Sequence, residues 1–391
     1  MKPLRILAIV NLPWDKRLGA ARVWIELAEE WARAGHEVEK FCLTDAFPTP
    51  TSSSVRATLR TALFPYRAAA YVRRHGARFD VVDCLIGTLP FRKRSLGWRG
   101  LLVARSVGLF RLYEEFLARS RRRWPDQPRG RFFGRPFHRV MERYFWKNSE
   151  ASLRVCDLVN VPNEFERHVL EQDDSLRPIA IVQPYGLSDG FRSALGAAAA
   201  PAADRLRAPK ICFIGMWSLR KGARDFPEIM RAIWQRHPAA EFLFLGTMVA
   251  EKVVRAELGF AAESDRITCL PQYDAAELPA LLADGTLALF PSYIEGFGLA
   301  ILEQLAAGLP TVAYDVPGPR QILAPQAGTL LTPEGEPSTM AARALEILDL
   351  PLPEYSQLSE ACREIARAYR WSEIAAATVR QYRQALESLG K

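Results

Sequence analysis

The chain lacks most of the features that would place it quickly. Its 6 cysteines are scattered (Cys42, Cys84, Cys156, Cys212, Cys269, Cys362) with no Cys-x-x-Cys pair. That argues against a disulfide framework or a structural zinc site and for reduced core thiols in a cytoplasmic protein. The 5 histidines (His36, His75, His138, His168, His237) have no metal-ligand spacing. There is no Asp-x-Asp, no Gly-x-x-x-x-Gly-Lys-Ser/Thr loop and no defensible Ser-His-Asp grouping, so neither a resident metal nor a P-loop is expected. No apolar run approaches the ~20 residues that span a bilayer. The apolar stretch Leu4 to Val10 is followed at once by Asp15, Lys16 and Arg17, without a small-residue cleavage site, and reads as a first strand rather than a leader. No tandem repeat is visible.

What is present is an ordinary globular composition, 49% hydrophobic and 25% charged, over 391 residues. That length is more than one core usually fills, so two domains are expected. Strand-like and helix-like segments alternate. Leu4–Val10, Val38–Leu43, Val81–Ile86, Leu101–Ala104, Leu158–Val161 and Ile179–Val182 form one series, with a helix from Ala20 to Ala34 presenting Trp24, Leu27 and Trp31 on one face. Val55 to Arg74 reads as a further helix. A second series runs through Lys210–Ile214, Phe242–Leu245, Ile267–Leu270, Leu287–Phe290 and Thr311–Tyr314. Such βαβ rhythm predicts α/β architecture with parallel sheets covered by helices. Pro184-Tyr185-Gly186 marks a turn out of the first domain. Gly196 to Asp204, nearly all Ala and Pro, reads as a linker or surface loop. The expected organisation is residues 1–187, then 205–370, then a terminal amphipathic helix over 371–391.

The most informative string is Pro291-Ser-Tyr-Ile-Glu295-Gly296-Phe297-Gly298-Leu299-Ala-Ile-Leu-Glu303, continuing to Gly308-Leu-Pro310. It reads as strand, glycine loop, short helix and next strand. Gly296 and Gly298 allow a close backbone approach, and the helix start offers N–H groups and a positive dipole end to an anion. Two carboxylates would repel a phosphate they faced. They are explicable if they accept hydrogen bonds from hydroxyls on either side of it. A second glycine loop, Gly215-Met-Trp-Ser-Leu-Arg220-Lys221-Gly222, places two adjacent cations after a strand, where a leaving diphosphate would develop charge.

These residues resemble the Glu-x7-Glu motif and cationic loop of glycosyltransferase family 4, which has the GT-B fold. The resemblance covers most of the chain, most closely from Lys210 to Leu331. It implies two Rossmann-like domains with parallel sheets facing a central cleft, and a terminal helix that crosses back to the first domain. It further implies retaining, metal-independent sugar transfer from a nucleotide-sugar donor, with no cofactor, to a glycan or lipid-linked acceptor. Carried over residue by residue, Glu295 faces the transferred sugar and Glu303 the ribose. Arg220 and Lys221 face the diphosphate, as do Gly215 and the backbone of Gly296, Phe297, Gly298 and Leu299. Gly19, which stands where the family has a glycine pair, and Arg105 would lie on the acceptor side. Two positions depart from the pattern. Met216 occupies the usual Arg place, and Val107 occupies the place of a histidine. Two other readings stay open: a sugar-nucleotide epimerase of this fold, and a non-catalytic sugar-nucleotide-binding or scaffold protein.

The net charge of +8 is concentrated. Ten basic residues between Leu117 and Lys147 (Arg119 and Arg121 among them) face only Asp126 and Glu142, interleaved with Trp124, Phe132, Phe133, Phe137, Tyr144, Phe145 and Trp146. Such a mix suits an anionic lipid surface or nucleic acid. The resemblance favours the lipid surface, so a peripheral position on the inner face of the membrane is expected over Arg119–Lys147, and no nucleic acid.

Overall fold

The structure is a computed structural model that describes residues 2–125, 135–176, 178–260 and 265–390. The chain divides into two compact units, Met1–Tyr185 with Trp371–Lys391, and Gly186–Arg370.

The first unit is built on six strands: β1 (Arg5–Val10), β2 (Glu37–Cys42), β3 (Val81–Leu85), β4 (Leu101–Arg105), β5 (Leu158–Val161) and β6 (Ile179–Val182). They pair in parallel in the order β2-β1-β3-β4-β5-β6. The strands β1, β3, β4 and β5 are almost wholly buried, as expected for apolar runs covered on both faces. The helix Gly19–Arg33 buries Trp24, Leu27 and Trp31. The helix Trp371–Ser388 packs beside it, where Ala375 accepts a hydrogen bond from Trp31 Nε1 at 3.3 Å.

The second unit has β7 (Lys210–Ile214), β8 (Glu241–Leu245), β9 (Ile267–Leu270), β10 (Leu287–Phe290), β11 (Thr311–Tyr314) and β12 (Leu331–Thr332). All pair in parallel, in the order β12-β11-β10-β7-β8-β9. Numbered within the unit this is the order 3-2-1-4-5-6 of a dinucleotide-binding sheet, whose direction reverses between its first and fourth strands. That switch point lies between β7 and β10. All six cysteines are buried and unpaired.

One expectation is corrected. Residues 196–204 are not a linker. The helices Asp189–Ala198 and Ala202–Arg207 occupy the region and pack on the second unit. Leu195 is fully buried, and Arg205 donates to the Ala307 and Gly308 carbonyls at 2.7 and 3.1 Å. Alanine is the best helix former. Small residues also let the first of these helices lie near its neighbour: a Cβ added at Gly196 would be in ordinary contact with the Ala306 oxygen, at 3.7 Å.

Candidate functional site

The β7–β10 pairing sets Leu287 against Ile211 and Ala288 against Cys212. The two loops that leave the carboxyl ends of these strands therefore emerge side by side. They are pressed together at Gly222, which has φ +75°, and where a Cβ would lie 2.3 Å from the Pro291 oxygen. Tyr293 N–H donates to the Arg220 carbonyl at 2.9 Å. Behind them the buried Asp225 accepts from the hydroxyls of Tyr293 and Tyr314 at 2.7 and 2.8 Å. This brace ties the loop after β7 to the loop after β10 and to the end of β11.

At the front of the brace, Lys221, Arg220 and Glu295 converge. The Lys221 ammonium donates to Glu295 Oε2, and Arg220 Nη1 lies 3.5 Å from the same oxygen and 3.2 Å from the Ile294 carbonyl. Lys221 also sits over the Phe290 ring, 4.5 Å from its centre. Burial pushes the Lys221 ammonium below its ordinary range, with Glu295 pulling the other way. Burial alone would raise the Glu295 carboxyl, yet Lys221 and Arg220 together hold it below its ordinary range. Lys221 and Arg220 thus set two cations beside one carboxylate in a poorly hydrated place, where charges interact more strongly than in water. Gly215 lies beside the Lys221 stem, where a Cβ would crowd the Phe213 ring at 3.2 Å and touch the lysine carbons at an ordinary 3.7 Å.

Gly298 has φ +105° and is the N-cap of the helix Leu299–Ala306, so the first turn has no side-chain cap from that residue. Gly318, on the helix Pro317–Leu323, is also required by close approach: a Cβ there would fall 2.3 Å from the Phe297 oxygen. The Phe297 ring is buried against Tyr369, centres 5.6 Å apart, so only its backbone is positioned toward the loop mouth. Glu303 is buried on the same helix. Glu295, Lys221, Arg220, Gly215 and the Gly296–Leu299 turn are thus gathered at the switch point of one sheet.

The first unit is different. Gly19 is the first residue of its helix, at that sheet's own switch point between β1 and β3, with open space around its Cβ position. Val107 is half-buried in the loop after β4. Arg105 is corrected: it offers no charge to a ligand. Its side chain is 1% exposed. It donates to both Asp83 oxygens at 3.2 and 2.7 Å, to Gln183 Oε1 at 2.7 Å and to the Tyr382 hydroxyl at 3.0 Å. Asp83 also accepts from Trp24 Nε1 at 3.2 Å and from the Tyr382 hydroxyl. The guanidinium fastens the terminal helix to the sheet, and a polar residue at a strand's carboxyl end was misread as a binding group. The sequence reading also missed the Asp225 brace, although Tyr293 and Tyr314 stand within or just beyond the quoted motif. Of the Arg119–Lys147 segment, residues 126–134 lie outside the described residues.

Residues 208–349 match the model of the family Glycosyl transferases group 1. Among curated relatives, the D-inositol 3-phosphate glycosyltransferase of Paenarthrobacter aurescens is 28% identical over 183 residues, 46% of this chain and 45% of that one. The chain spans about half the length of the curated relatives it matches. Among solved structures, sucrose-phosphate synthase of Thermosynechococcus elongatus superposes with a TM-score of 0.74 at 19% identity, over 98% of this chain and 100% of that one. Anabaena HepE, solved in complex with UDP and glucose, gives 0.65 at 15%, over 97% and 99%. At these identities the structural likeness is one of fold, and the fold is GT-B. The sequence match places residues 208–349 with the group 1 glycosyl transferases, a glycosyltransferase family 4-like assignment.

Proposed function

We propose that this protein is a retaining glycosyltransferase that moves a sugar from a nucleotide-sugar donor to a glycan or lipid-linked acceptor. The observation that carries the reading is the meeting of Lys221, Arg220 and Glu295 at the β7/β10 switch point, inside the stretch that matches the group 1 glycosyl transferases. The relatives' names and the UDP and glucose in the HepE structure support a sugar-nucleotide donor.

In this reading the diphosphate lies against Lys221, Arg220 and the start of the Leu299–Ala306 helix. An ammonium has three donors, so Lys221 can hold Glu295 and a phosphate oxygen together. Glu295 accepts from hydroxyls of the sugar, and Glu303 from the ribose. As the anomeric C–O bond breaks, its electron pair passes to the diphosphate oxygen, where the fixed cations oppose the growing charge. The acceptor oxygen bonds to the anomeric carbon on the face the diphosphate leaves, and its proton goes to the departing phosphate oxygen. That route assigns no base to the protein, which suits Val107 in the histidine place. The cations take the part a metal would play, so no metal or other cofactor is invoked. Acceptor recognition is assigned to the first unit, near the start of the Gly19–Arg33 helix.

A panel of nucleotide sugars screened by thermal shift identifies the donor, since a ligand selective for the native state raises Tm. Release of nucleoside diphosphate is then followed for wild type, Glu295→Ala and Lys221→Ala. Turnover that needs both residues supports the proposal. Tight donor binding without turnover on any acceptor returns the sugar-nucleotide-binding reading.

A further inference from the structure

We propose that the helix Ser54–His75 of the first unit is a docking face for an anionic lipid surface. The inference is independent of the donor site. The helix is 22 residues long and carries no Asp or Glu. Its inner side, with Phe64, Ala68, Ala69 and Val72, is buried in the core of the first unit. Its outer side exposes Val55 (53%), Leu59 (44%), Leu63 (52%) and Tyr66 (56%). These four of the thirteen large apolar side chains exposed among the described residues recur at i, i+4, i+8 and i+11, which confines them to about 80° of helix circumference. Water is a poor environment for such a contiguous arc.

Arg56, Arg60, Arg67 and Arg74 border the arc within about the next 60°. Among the described residues no ion pair involves any of them. Arg60 and Arg67 lie 5.7 Å from the Phe47 ring centre, which orders their stems and leaves their charge unneutralised. The helix Arg135–Val155 lies alongside, with the Tyr144 hydroxyl donating to the Ala62 carbonyl at 2.8 Å. It adds exposed Val140, Arg143 and Lys147 to the same neighbourhood. A helix with an apolar arc, a cationic border and no acid of its own is the arrangement of one lying in the plane of a bilayer interface, where apolar side chains reach the acyl boundary and arginines meet phosphates. Nucleic acid would use the arginines and leave the apolar arc wet. The charge therefore commits the occupant to anionic lipid.

The test is co-sedimentation of the full chain with phosphatidylcholine vesicles, with and without phosphatidylglycerol, at low and high salt. Wild type pellets with the anionic vesicles and releases as salt rises. Leu59→Glu/Leu63→Glu, or Leu59→Ser/Leu63→Ser should the first pair fold poorly, weakens partitioning about tenfold or more, as does Arg56→Gln/Arg67→Gln. Wild type that stays in the supernatant, pellets equally with neutral vesicles, or pellets undiminished by the Leu59/Leu63 substitutions overturns the proposal. So does retention by a duplex DNA probe with no vesicle binding. A thermal shift with nucleoside diphosphate on the same variants is expected unchanged, which separates failure here from failure of the transferase reading.

Discussion

Replacing Lys221 with Met separates what the cation does for the fold from what it does for chemistry. The ammonium is held between Glu295 and the Phe290 ring with 10% of its side chain exposed, and Glu295 keeps 15%. Removing one partner of such a pair leaves a poorly hydrated charge, which costs about 3–5 kcal/mol when nothing else compensates. Here Arg220 remains 3.5 Å away, so about 3 kcal/mol is expected, roughly 6–12 °C in Tm for a unit of this size. Lys221→Met/Glu295→Leu removes the orphaned carboxylate as well, and apolar replacement of a buried pair is often near neutral. Its stability should return to within about 1 kcal/mol of wild type. Catalysis should not return. Loss of a fixed donor facing developing charge lowers kcat by about 10²–10³, and the double variant should be at least as slow. Calorimetry reads the first effect and release of nucleoside diphosphate reads the second. A double variant that regains activity along with stability, or a Lys221→Met enzyme within about threefold of wild type, refutes the assignment of Lys221 to the diphosphate.

Nucleoside diphosphate binding should weaken as pH rises through a value below 10.5, because burial depresses the Lys221 ammonium and its charge is lost early; titration calorimetry across alkaline pH reads this limb. Glu295→Gln removes the carboxylate that opposes the depression, so the limb should move to still lower pH. In the acid range the sign reverses: Glu295 has a lowered pKa, so its stabilising contribution is present above the unfolded value of 4.5 and fades as pH falls through the depressed folded value. Thermal melts of wild type and Glu295→Gln should converge there. Gly222→Ala meets the Pro291 oxygen at 2.3 Å in a left-handed backbone and should cost about 2–4 kcal/mol, whereas Gly19→Ala, at an open helix start, should change stability by no more than about 0.5 kcal/mol. Arg105→Leu strands the buried Asp83 and should destabilise the first unit by about 3–5 kcal/mol, while nucleoside diphosphate binding by the second unit is unchanged.

Eleven of the twelve strands are legible, most of them as short apolar runs between turn residues, because a parallel strand buried on both faces has that composition. The edge strand β2 is legible by its return after the helix stop, with only Phe41 and Cys42 buried. The twelfth, β12, is two residues long and carries no pattern to read. The helices Asp189–Ala198 and Ala202–Arg207 escape for the opposite reason. Their alanines have no periodic contrast, and their packing rests on closeness rather than bulk. The nearness of Lys221 to Glu295, 74 residues apart, is legible because each lies in a glycine loop after a strand, and the switch in strand order brings such loops together; their direct pairing is not. The role of Arg105 is not legible either. Its partners Asp83, Gln183 and Tyr382 lie up to 277 residues away, and nothing near it in the chain marks the burial.

A crystal structure of the protein with an intact nucleotide-sugar donor tests the central claim most directly. The account predicts diphosphate oxygens within about 3.2 Å of Lys221 Nζ and the Arg220 guanidinium, with the sugar hydroxyls on Glu295. A donor whose diphosphate lies away from both cations, or a sugar that makes no contact with Glu295, would contradict it.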